Sequence, residues 1–367
     1  MLLRTLLSSV CVIATLNVSL ACTAVDVVAG DGTVVAGRTM EWGFDMKWNL
    51  VSKPAGTPLA LTAPPALKLP TNTIKTKYAV VGVAPGILPG AALLEGQNSA
   101  GLGMSANFLP GFTQYQTVTP ADRNYVSVLD FGTWALGTNA TVAEVKTALQ
   151  TTKVWFDAAA LGTGDTPMTL HLVFTDKTGA SVVAEYVGGD LRLYDNVAHV
   201  LTNAPTYDWH LLNARNYLNL STVGVQSVQI GTANVTALGQ GGGTIGIPGD
   251  YTPPARFIRA AFMRHNETPP ATGTEAVQAV GHILNTVDIP LGVAQSREGN
   301  QLVSDYTQFV AIKDLSHNRL MITDYNHRLI FLTLDLNTIF AQDQPTSIPI
   351  ADLPYPKSID ATSSLMK

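Results

Sequence analysis

Residues 22–38 read CTAVDVVAGDGTVVAGR, and this stretch decides how the chain begins its fold. Two runs rich in β-branched residues flank Gly30-Asp31-Gly32, a pattern that predicts a β-hairpin with a tight turn. The second strand of such a hairpin returns the chain toward Cys22. We therefore expect Arg38 and Glu41, near the end of the second strand, to lie close to Cys22.

The segment before Cys22 has the pattern of a secretory signal. It opens with a positive charge, continues as a largely apolar, uncharged run, and ends with small residues at Ser19 and Ala21. This pattern predicts a signal peptide, residues 1–21, that is removed from a single domain, residues 22–367. The protein would then be exported, periplasmic or secreted. No later segment approaches the roughly 18 uninterrupted apolar residues of a membrane span, so we expect no stable membrane anchor.

The sequence has two cysteines, and Cys11 lies within the apolar signal. Removal of the signal would leave Cys22 as a single thiol at its own N-terminus, in a compartment where proteins usually pair their cysteines. Catalysis by this thiol is one explanation. A lipidated cysteine and a chance cysteine near a cleavage site are two others, although Ser19 and Leu20 fit a lipoprotein signal poorly. The signal alone leaves all three explanations open.

The composition is that of a folded protein with few charges. Of 367 residues, 13% are charged and 46% are hydrophobic, and the formal net charge is −5. No run of Lys or Arg is present, so we expect no nucleic-acid partner. Strand patterns, including a meander at 170–194, mix with helical patterns at 255–264 and 274–287, which predicts one α+β domain with sheets covered by helices. Residues 55–75 are predicted to form an irregular loop, and residues from 342 onward a peripheral tail.

Other motifs in the chain are weak. Gly241, Gly243 and Gly246 match the spacing of a dinucleotide-binding loop, but the prolines within 248–254 prevent the helix that such a loop needs. The seven histidines do not follow metal-ligand spacing, and no serine-hydrolase elbow is present. We therefore expect neither a metal nor an organic cofactor.

An N-terminal cysteine can carry acyl transfer without a histidine. The thiolate is the reactive form, and a terminal α-amine with a pKa near ~7.7–8 can take the thiol proton directly or through a water. A guanidinium such as that of Arg38 would lower the pKa of both groups. A carboxylate such as that of Glu41 could accept hydrogen bonds from the amine and orient it, and asparagine amides could stabilise the oxyanion.

Four motifs occur in one order over nearly the whole chain after residue 21. They are CT at 22–23 with GRTM at 37–40; NSAGLG at 98–103 leading to ANF at 106–108; TNAPTYDWH at 202–210; and TALGQG at 236–241 with GDYTP at 249–253 and ARFIR at 255–259. Together they resemble the choloylglycine hydrolase family, which contains bile salt hydrolases and penicillin V acylases. The resemblance implies hydrolysis of a linear amide by an N-terminal-nucleophile enzyme, α+β in class, with a four-layer αββα sandwich of antiparallel sheets.

The resemblance also implies roles for residues at the matched positions. Cys22 would be the catalytic nucleophile and its amine the base, with Arg38 beside the thiol. Asn107 and Asn203 would lie around the oxyanion and the substrate, and Arg256 would be a second active-site arginine. Taken alone, the asparagines could equally cap turns, and the second arginine could pair with a carboxylate on its own helix.

The chain departs from the family pattern at Glu41, where family members commonly carry aspartate. The charge is kept, but the side chain is one methylene longer. Its contact with the amine could therefore differ, and Asp45 or Asp26 could share its task.

Seven apolar residues are candidate substrate contacts, although each could be ordinary core. They would form a pocket for an acyl group, so we expect a small-molecule amide that joins a bulky apolar acyl part to a small polar amine part. Asn107, where some penicillin V acylases carry tyrosine, favours conjugated bile salts, whereas export favours penicillin V; N-acyl-homoserine lactones are a third candidate. The seven residues are Met40, Trp42, Phe44, Ile87, Leu88, Phe108 and Leu161.

Residues 211–246 resemble the long loop that reaches between subunits in tetrameric relatives, which predicts a homotetramer. A competing interpretation of another class is an exported, non-enzymatic lipoprotein or binding protein on the same fold. The two interpretations differ at the N-terminus, because a lipidated or internal Cys22 would exclude the amidase mechanism.

Overall fold

Two antiparallel sheets face each other in the computed structural model, and each carries helices on its outer side. The structure describes residues 21–366 apart from Ala91, Asp165, Pro167 and Ile359. This arrangement is the predicted αββα sandwich. The predicted signal peptide lies outside the described residues except for Ala21.

The described residues form twenty-one strands and seven α-helices. The strands are β1 (Cys22–Val28), β2 (Val34–Trp42), β3 (Trp48–Lys53), β4 (Pro58–Leu61), β5 (Asn72–Lys75), β6 (Val80–Pro85), β7 (Glu95–Asn98), β8 (Leu102–Phe108), β9 (Tyr125–Ser127), β10 (Lys153–Trp155), β11 (Leu170–Asp176), β12 (Ser181–Val187), β13 (Asp190–Asp195), β14 (Val200–Leu201), β15 (Ser227–Ile230), β16 (Ala233–Thr236), β17 (Ala294–Glu298), β18 (Gln301–Asp314), β19 (Arg319–Asp324), β20 (Leu332–Asp335) and β21 (Thr346–Pro349). The helices are α1 (Val128–Thr138), α2 (Val142–Thr151), α3 (Ala158–Leu161), α4 (Tyr207–Ala214), α5 (Pro253–Asn266), α6 (Gly273–Asn285) and α7 (Leu336–Phe340).

The first sheet is built around the predicted hairpin of β1 and β2. Its order is β14-β1-β2-β18-β19-β20, with β17 paired to β18. Gly32 supplies the positive φ of 85° that the turn needs, and the Asp31 carboxylate accepts a hydrogen bond from the Thr33 amide at 2.9 Å. The register places Cys22 opposite Met40, so the hairpin returns the chain to Cys22 as the sequence predicts.

The second sheet has the order β13-β12-β11-β8-β7-β6-β3-β21. Strands β11, β12 and β13 form the predicted meander. Strand β8 pairs with both β11 and β7, and it faces β1 across the gap between the sheets. The buried apolar residues of the two inner faces form the main core, and this core includes Cys22.

Helices α5 and α6 cover the first sheet, while α1 and α2 cover the second. Thr141, followed by Glu144 three residues later, has the sequence pattern of a helix N-cap, and its side chain accepts a hydrogen bond from the Glu144 amide at 3.2 Å. Helix α6 approaches β2 closely at Gly37, where an added Cβ would lie 2.5 Å from Val280 Cγ1. Helix α6 therefore packs directly against β2, the strand that carries Arg38.

The expectation of an irregular loop at 55–75 needs correction. These residues contain the paired strands β4 and β5, and Leu59, Leu61 and Ile74 turn inward against the core. The Pro- and Ala-rich composition hides this alternation of inward and outward side chains. Beyond residue 342 the chain is peripheral, as predicted: β21 is an exposed edge strand paired with β3, and most of the residues after it are exposed. None of the helices in the described part of the chain combines the length and apolar character that crossing a bilayer requires.

Candidate active site

Cys22 begins β1 with its side chain directed into the space between the sheets. It is fully buried, and its Sγ lies 3.7 Å from Met40 Sδ. Because side chains alternate along a strand, Met40 and Arg38 lie on the same face of the sheet as Cys22. In this structure Ala21 still precedes Cys22, and the Ala21 carbonyl accepts a hydrogen bond from the Glu41 amide at 3.0 Å.

Arg38 crosses from the first sheet to the second. Its Nη1 donates to the carbonyl oxygens of Leu94 at 2.9 Å and Ala106 at 3.1 Å, while Nη2 contacts Met40 Sδ at 3.5 Å. The side chain is fully buried. These bonds hold the guanidinium near the Cys22 thiol, as expected from the hairpin.

Arg256, on helix α5, holds the backbone of Cys22 from the opposite side of the sheet. Its Nη1 donates to the Cys22 carbonyl at 2.6 Å and to Thr23 Oγ1 at 2.7 Å, and its Nη2 donates to Asn203 Oδ1 at 2.8 Å. The same Asn203 oxygen accepts a hydrogen bond from the Cys22 nitrogen at 2.5 Å. The alternative in which Arg256 pairs with a carboxylate on its own helix is therefore not the arrangement observed.

The two asparagines have different positions in the hydrogen-bond network. Asn203 Nδ2 donates one hydrogen to the Phe108 carbonyl at 3.0 Å, which leaves its second amide hydrogen available. Asn107 Nδ2 donates to the carbonyls of Leu201 at 3.1 Å and Thr202 at 2.8 Å, so both of its hydrogens are used. Asn107 therefore supports the chain that precedes Asn203 and offers no free amide hydrogen to an oxyanion here.

Two histidines without a predicted role support the Asn203 segment, although His210 ends the motif at 202–210. His171 lies opposite Asn107 in the sheet; its Nε2 is 3.0 Å from the Thr202 carbonyl and its Nδ1 is 3.0 Å from Glu185. His210 Nε2 is 2.8 Å from the Asn203 carbonyl, and burial lowers the pKa of His210 to about 4. For His171, the one indication in the sequence was its place among the apolar residues of β11.

These polar groups do not form a metal site. The part of the chain that the structure describes contains no group of three or more His, Cys, Asp or Glu side chains that could hold a metal ion. Each ring nitrogen of His171 and the Nε2 of His210 is already within hydrogen-bond distance of a protein oxygen. Their contribution is therefore to orient the backbone around Asn203.

Glu41 is the carboxylate beside Cys22, and it is fully buried. Its Oε1 accepts a hydrogen bond from Thr307 Oγ1 at 2.6 Å, while its Oε2 has no partner. Burial raises the pKa of Glu41 to about 7, against the opposing effect of the Arg256 charge. Glu41 follows Met40 along β2, so its side chain lies on the face of the sheet opposite the Cys22 thiol, with one carboxyl oxygen lacking a hydrogen-bond partner.

The two aspartates considered as substitutes for Glu41 are engaged elsewhere. Asp45 forms an exposed ion pair with Lys47 at 2.6 Å. Asp26 contacts His199 Nδ1 at 2.5 Å and accepts a hydrogen bond from Ser181. Neither shares the position of Glu41.

The Cys22 thiol has a pKa above its ordinary value, because complete burial outweighs the lowering effect of Arg38. The Glu41 charge raises it as well, whereas Arg256 lowers it. The sequence predicted only the effect of Arg38. The sequence does not reveal the desolvation of the thiol, because this effect depends on how both sheets pack around it.

The predicted substrate contacts divide into buried and exposed residues. The Trp42 ring packs edge-on against Phe108, with centroids 4.4 Å apart, and against Phe44 at 6.0 Å. Phe44 and Ile87 are 47% and 44% exposed. Five of the seven belong to the same apolar cluster as Cys22 or pack against it, so the core interpretation also applies to them: Met40, Trp42, Leu88, Phe108 and Leu161.

Known proteins are similar to this chain in both sequence and fold. The family model of linear amide C–N hydrolases, choloylglycine hydrolase family, matches residues 22–347. The bile salt hydrolase/transferase of Clostridium perfringens (strain 13 / Type A) is 30% identical over 292 residues, which cover 80% of this chain and 86% of that protein.

Solved structures of known proteins have an architecture similar to that of this chain. A variant of conjugated bile acid hydrolase from Clostridium perfringens superposes with a TM-score of 0.78 and 27% identity, covering 93% of this chain and 100% of that one. The penicillin V acylase from Agrobacterium tumefaciens gives a TM-score of 0.70 at 20% identity, covering 89% of this chain and 91% of that one. At that identity the second likeness concerns the fold alone.

Replacing Glu41 by Gln should change how stability depends on pH. The folded-state pKa of Glu41 is raised, so its favourable contribution is complete below the ordinary value of 4.5 and is lost as the pH rises through about 7. Urea unfolding at about pH 4.5 and about pH 8 should show that the parent loses more unfolding free energy than Glu41→Gln does. Both proteins should retain Ala21 and carry Cys22→Ala, so that residue 22 has neither a thiol nor an α-amine.

The matched control for this measurement is Asp343→Asn, which neutralises an exposed carboxylate. It should follow the parent at both pH values. Parallel pH dependence in the parent and in Glu41→Gln would contradict the assignment of a raised pKa to Glu41.

Proposed function

The chain belongs to the choloylglycine hydrolase family of linear amide C–N hydrolases, and we propose that it acts through Cys22 as an N-terminal nucleophile. The observation that carries the proposal is the pair of contacts at this one residue. Its Sγ lies in the space reached by Arg38, while its nitrogen donates to Asn203 Oδ1 at 2.5 Å, an oxygen also held by Arg256. A nucleophile and a base on one residue require that its nitrogen be free.

We propose that residues 1–21 are removed during export to the periplasm or the outside of the cell. The apolar run that ends at Ala21 supports this, and so does the family match, which begins at residue 22. Cys22 is fully buried, with its nitrogen against Asn203. A lipid attached to that thiol would have no space between the sheets, which argues against the lipoprotein alternative.

The proposed reaction starts when the Cys22 amine accepts the thiol proton. The thiolate sulfur attacks the substrate carbonyl carbon, and the oxyanion is stabilised by the second Asn203 amide hydrogen and by the Glu41 amide. Removal of Ala21 would free that Glu41 amide, which now donates to the Ala21 carbonyl. The protonated Cys22 amine then donates its proton to the leaving nitrogen, and the C–N bond breaks to give a thioester.

Water completes the cycle. It attacks the thioester carbonyl while the Cys22 amine accepts one of its protons, the S–C bond breaks, and the acid leaves. The sulfur takes the proton back as a thiol. Arg38 favours the thiolate in each half of the cycle because its charge lowers the pKa of the thiol.

The proposed substrate joins a bulky apolar acyl group to a small polar amine, as conjugated bile salts and penicillin V do. The apolar acyl part would contact Trp42, Phe44 and Phe108, which form a continuous set of rings from the buried core to the surface. The 30% identical bile salt hydrolase/transferase supports the bile salt class as the first candidate.

A substrate panel tests this proposal. With protein that begins at Cys22, we expect release of the amine from conjugated bile salts or from penicillin V, measured by mass spectrometry of both products. N-acyl-homoserine lactones form a third arm, and acyl-free peptides serve as the negative control. Absence of cleavage in all three acylated classes would show that the proposed substrate class is wrong.

One residue added before Cys22 should remove most of the activity. Protein beginning at Ala21 has an amide in place of the base, so we expect a loss of roughly 10²–10⁴-fold, the usual contribution of a general base. Intact mass measured after the assay confirms that Ala21 is still attached. Equal activity of the two forms, unchanged activity of Cys22→Ala, or a lipid on Cys22 in the exported protein would contradict the mechanism.

We also propose that four copies assemble through the segment at 218–245. The hairpin of β15 and β16 is exposed along its length, and the segment presents apolar side chains to solvent. Such a concentration of exposed apolar side chains is typical of an interface between copies. The exposed side chains are Leu218, Val223, Val225, Val228, Ile230, Val235, Leu238 and Ile245.

Light scattering should therefore give four times the monomer mass. The double variant Ile230→Asp with Leu238→Asp should shift the protein to smaller species, because it places charges within the interface. Leu329→Asp changes an equally exposed leucine outside the segment and should leave the mass unchanged. A monomeric parent would contradict the tetramer.

A further inference from the structure

Glu95 is a buried carboxylate between two cations in the gap between the sheets. It begins β7 and is 1% exposed. Its Oε1 contacts Lys313 Nζ, and its Oε2 lies 3.8 Å from Arg38 Nε. Ser105 Oγ donates to the same Oε2 at 2.6 Å. Of these groups, only Arg38 was expected from the sequence to lie near Cys22.

Lys313 reaches Glu95 from the opposite sheet. It lies on β18, next to β2, and its Nζ also donates to the Met104 carbonyl and to Ser105 Oγ, each at 3.2 Å. Burial lowers the pKa of Lys313, and the Glu95 charge opposes this effect. A nearby carboxylate stabilises a buried ammonium, so Glu95 favours the charged form of Lys313.

The backbone next to Glu95 and Ser105 in the second sheet also holds Arg38. Leu94 and Ala106, whose carbonyls accept from Arg38 Nη1, are the chain neighbours of Glu95 and Ser105. A change at the carboxylate therefore acts on Arg38 both through charge and through the backbone that binds it. The charged groups that act on the thiol itself are Arg38 and Glu41 from β2 and Arg256 from α5, and Asp26 from β1 acts on Lys313.

We propose that Glu95 and Lys313 are a positioning pair that holds the Arg38 guanidinium beside Cys22 and determines how much of its positive charge acts on the thiol. This inference rests on the proposed role of Cys22 as nucleophile. Glu95 offsets part of the Arg38 charge, and Lys313 in turn offsets part of the Glu95 charge. The thiol therefore responds in opposite directions to the loss of the two partners.

The test measures the thiol pKa of Cys22 in protein that begins at this residue and so contains a single cysteine. Thiolate absorbance in the far ultraviolet is followed against pH as the difference from Cys22→Ser, which requires neither substrate nor reagent access. Glu95→Gln should lower the thiol pKa and Lys313→Met should raise it, each by roughly 0.5–1 unit. The acid limb of the kcat/KM profile should move in the same direction as the thiol pKa.

Two further variants separate charge from packing. Lys313→Arg keeps the charge and should leave the thiol pKa near that of the parent. Asp288→Asn removes a carboxylate that pairs with Arg328 at 2.8 Å in a partly exposed ion pair, and it should also have no effect. If Glu95→Gln does not fold, the comparison of Lys313→Met with Lys313→Arg tests the proposal. Only Lys313→Met should raise the thiol pKa, and equal thiol pKa values in the two variants would contradict the proposal.

Shifts of both variants in the same direction, or shifts no larger than that of Asp288→Asn, would overturn the positioning role. Because absorbance needs no turnover, opposite shifts without any amide cleavage would support the pair while contradicting the proposed substrates. If an amide is cleaved but the thiol pKa does not shift in these variants, the proposed function stands and the inference about Glu95 and Lys313 is wrong.

Discussion

The pairing of β1 with β2 is the constraint on which the site depends. It places Cys22 opposite Met40 at the end of a strand that lies inside a sheet, between β14 and β2. Arg38 then acts from the face between the sheets, while Arg256 acts from the helix-covered face. A slip of one residue in this register would exchange the two faces and separate the thiol from Arg38.

The buried charges around Cys22 lie close to charges of opposite sign. Arg38 and Lys313 share Glu95, and Arg256 is close enough to Glu41 to oppose the effect of burial on the Glu41 pKa. Burial of a charge without such a partner would be costly. This requirement couples the stability of the two-sheet core to the electrostatics of the thiol, so the site and the core are parts of one structure.

The hydrogen-bond acceptor for the Cys22 nitrogen is in place while Ala21 is still attached. Asn203 is held by Arg256 and by the Phe108 carbonyl, and its own carbonyl by His210. Under the proposed mechanism, cutting the Ala21–Cys22 bond would change the chemistry of the nitrogen from amide to amine without requiring a new scaffold. It would also free the Glu41 amide at the end of β2.

The sequence by itself determined the features that arise from local interactions. The hairpin followed from its Gly-Asp-Gly turn and β-branched runs, the α2 cap from Thr141, and the position of Arg38 near Cys22 from strand pairing. The family motifs located Asn203 and Arg256 correctly beside Cys22. Local patterns failed at β4 and β5, where inward-facing residues alternate within a Pro- and Ala-rich segment.

Only the tertiary structure decided which partner each polar group has. Arg256 binds the Cys22 carbonyl across 234 positions of the chain, and Asn203 accepts from the Cys22 nitrogen across 181. The supporting role of Asn107, the Glu95–Lys313 pair and the raised pKa values of Cys22 and Glu41 likewise depend on how the two sheets and their helices pack. Desolvation and long-range hydrogen bonds are properties of the assembled core, so no local pattern in the sequence encodes them.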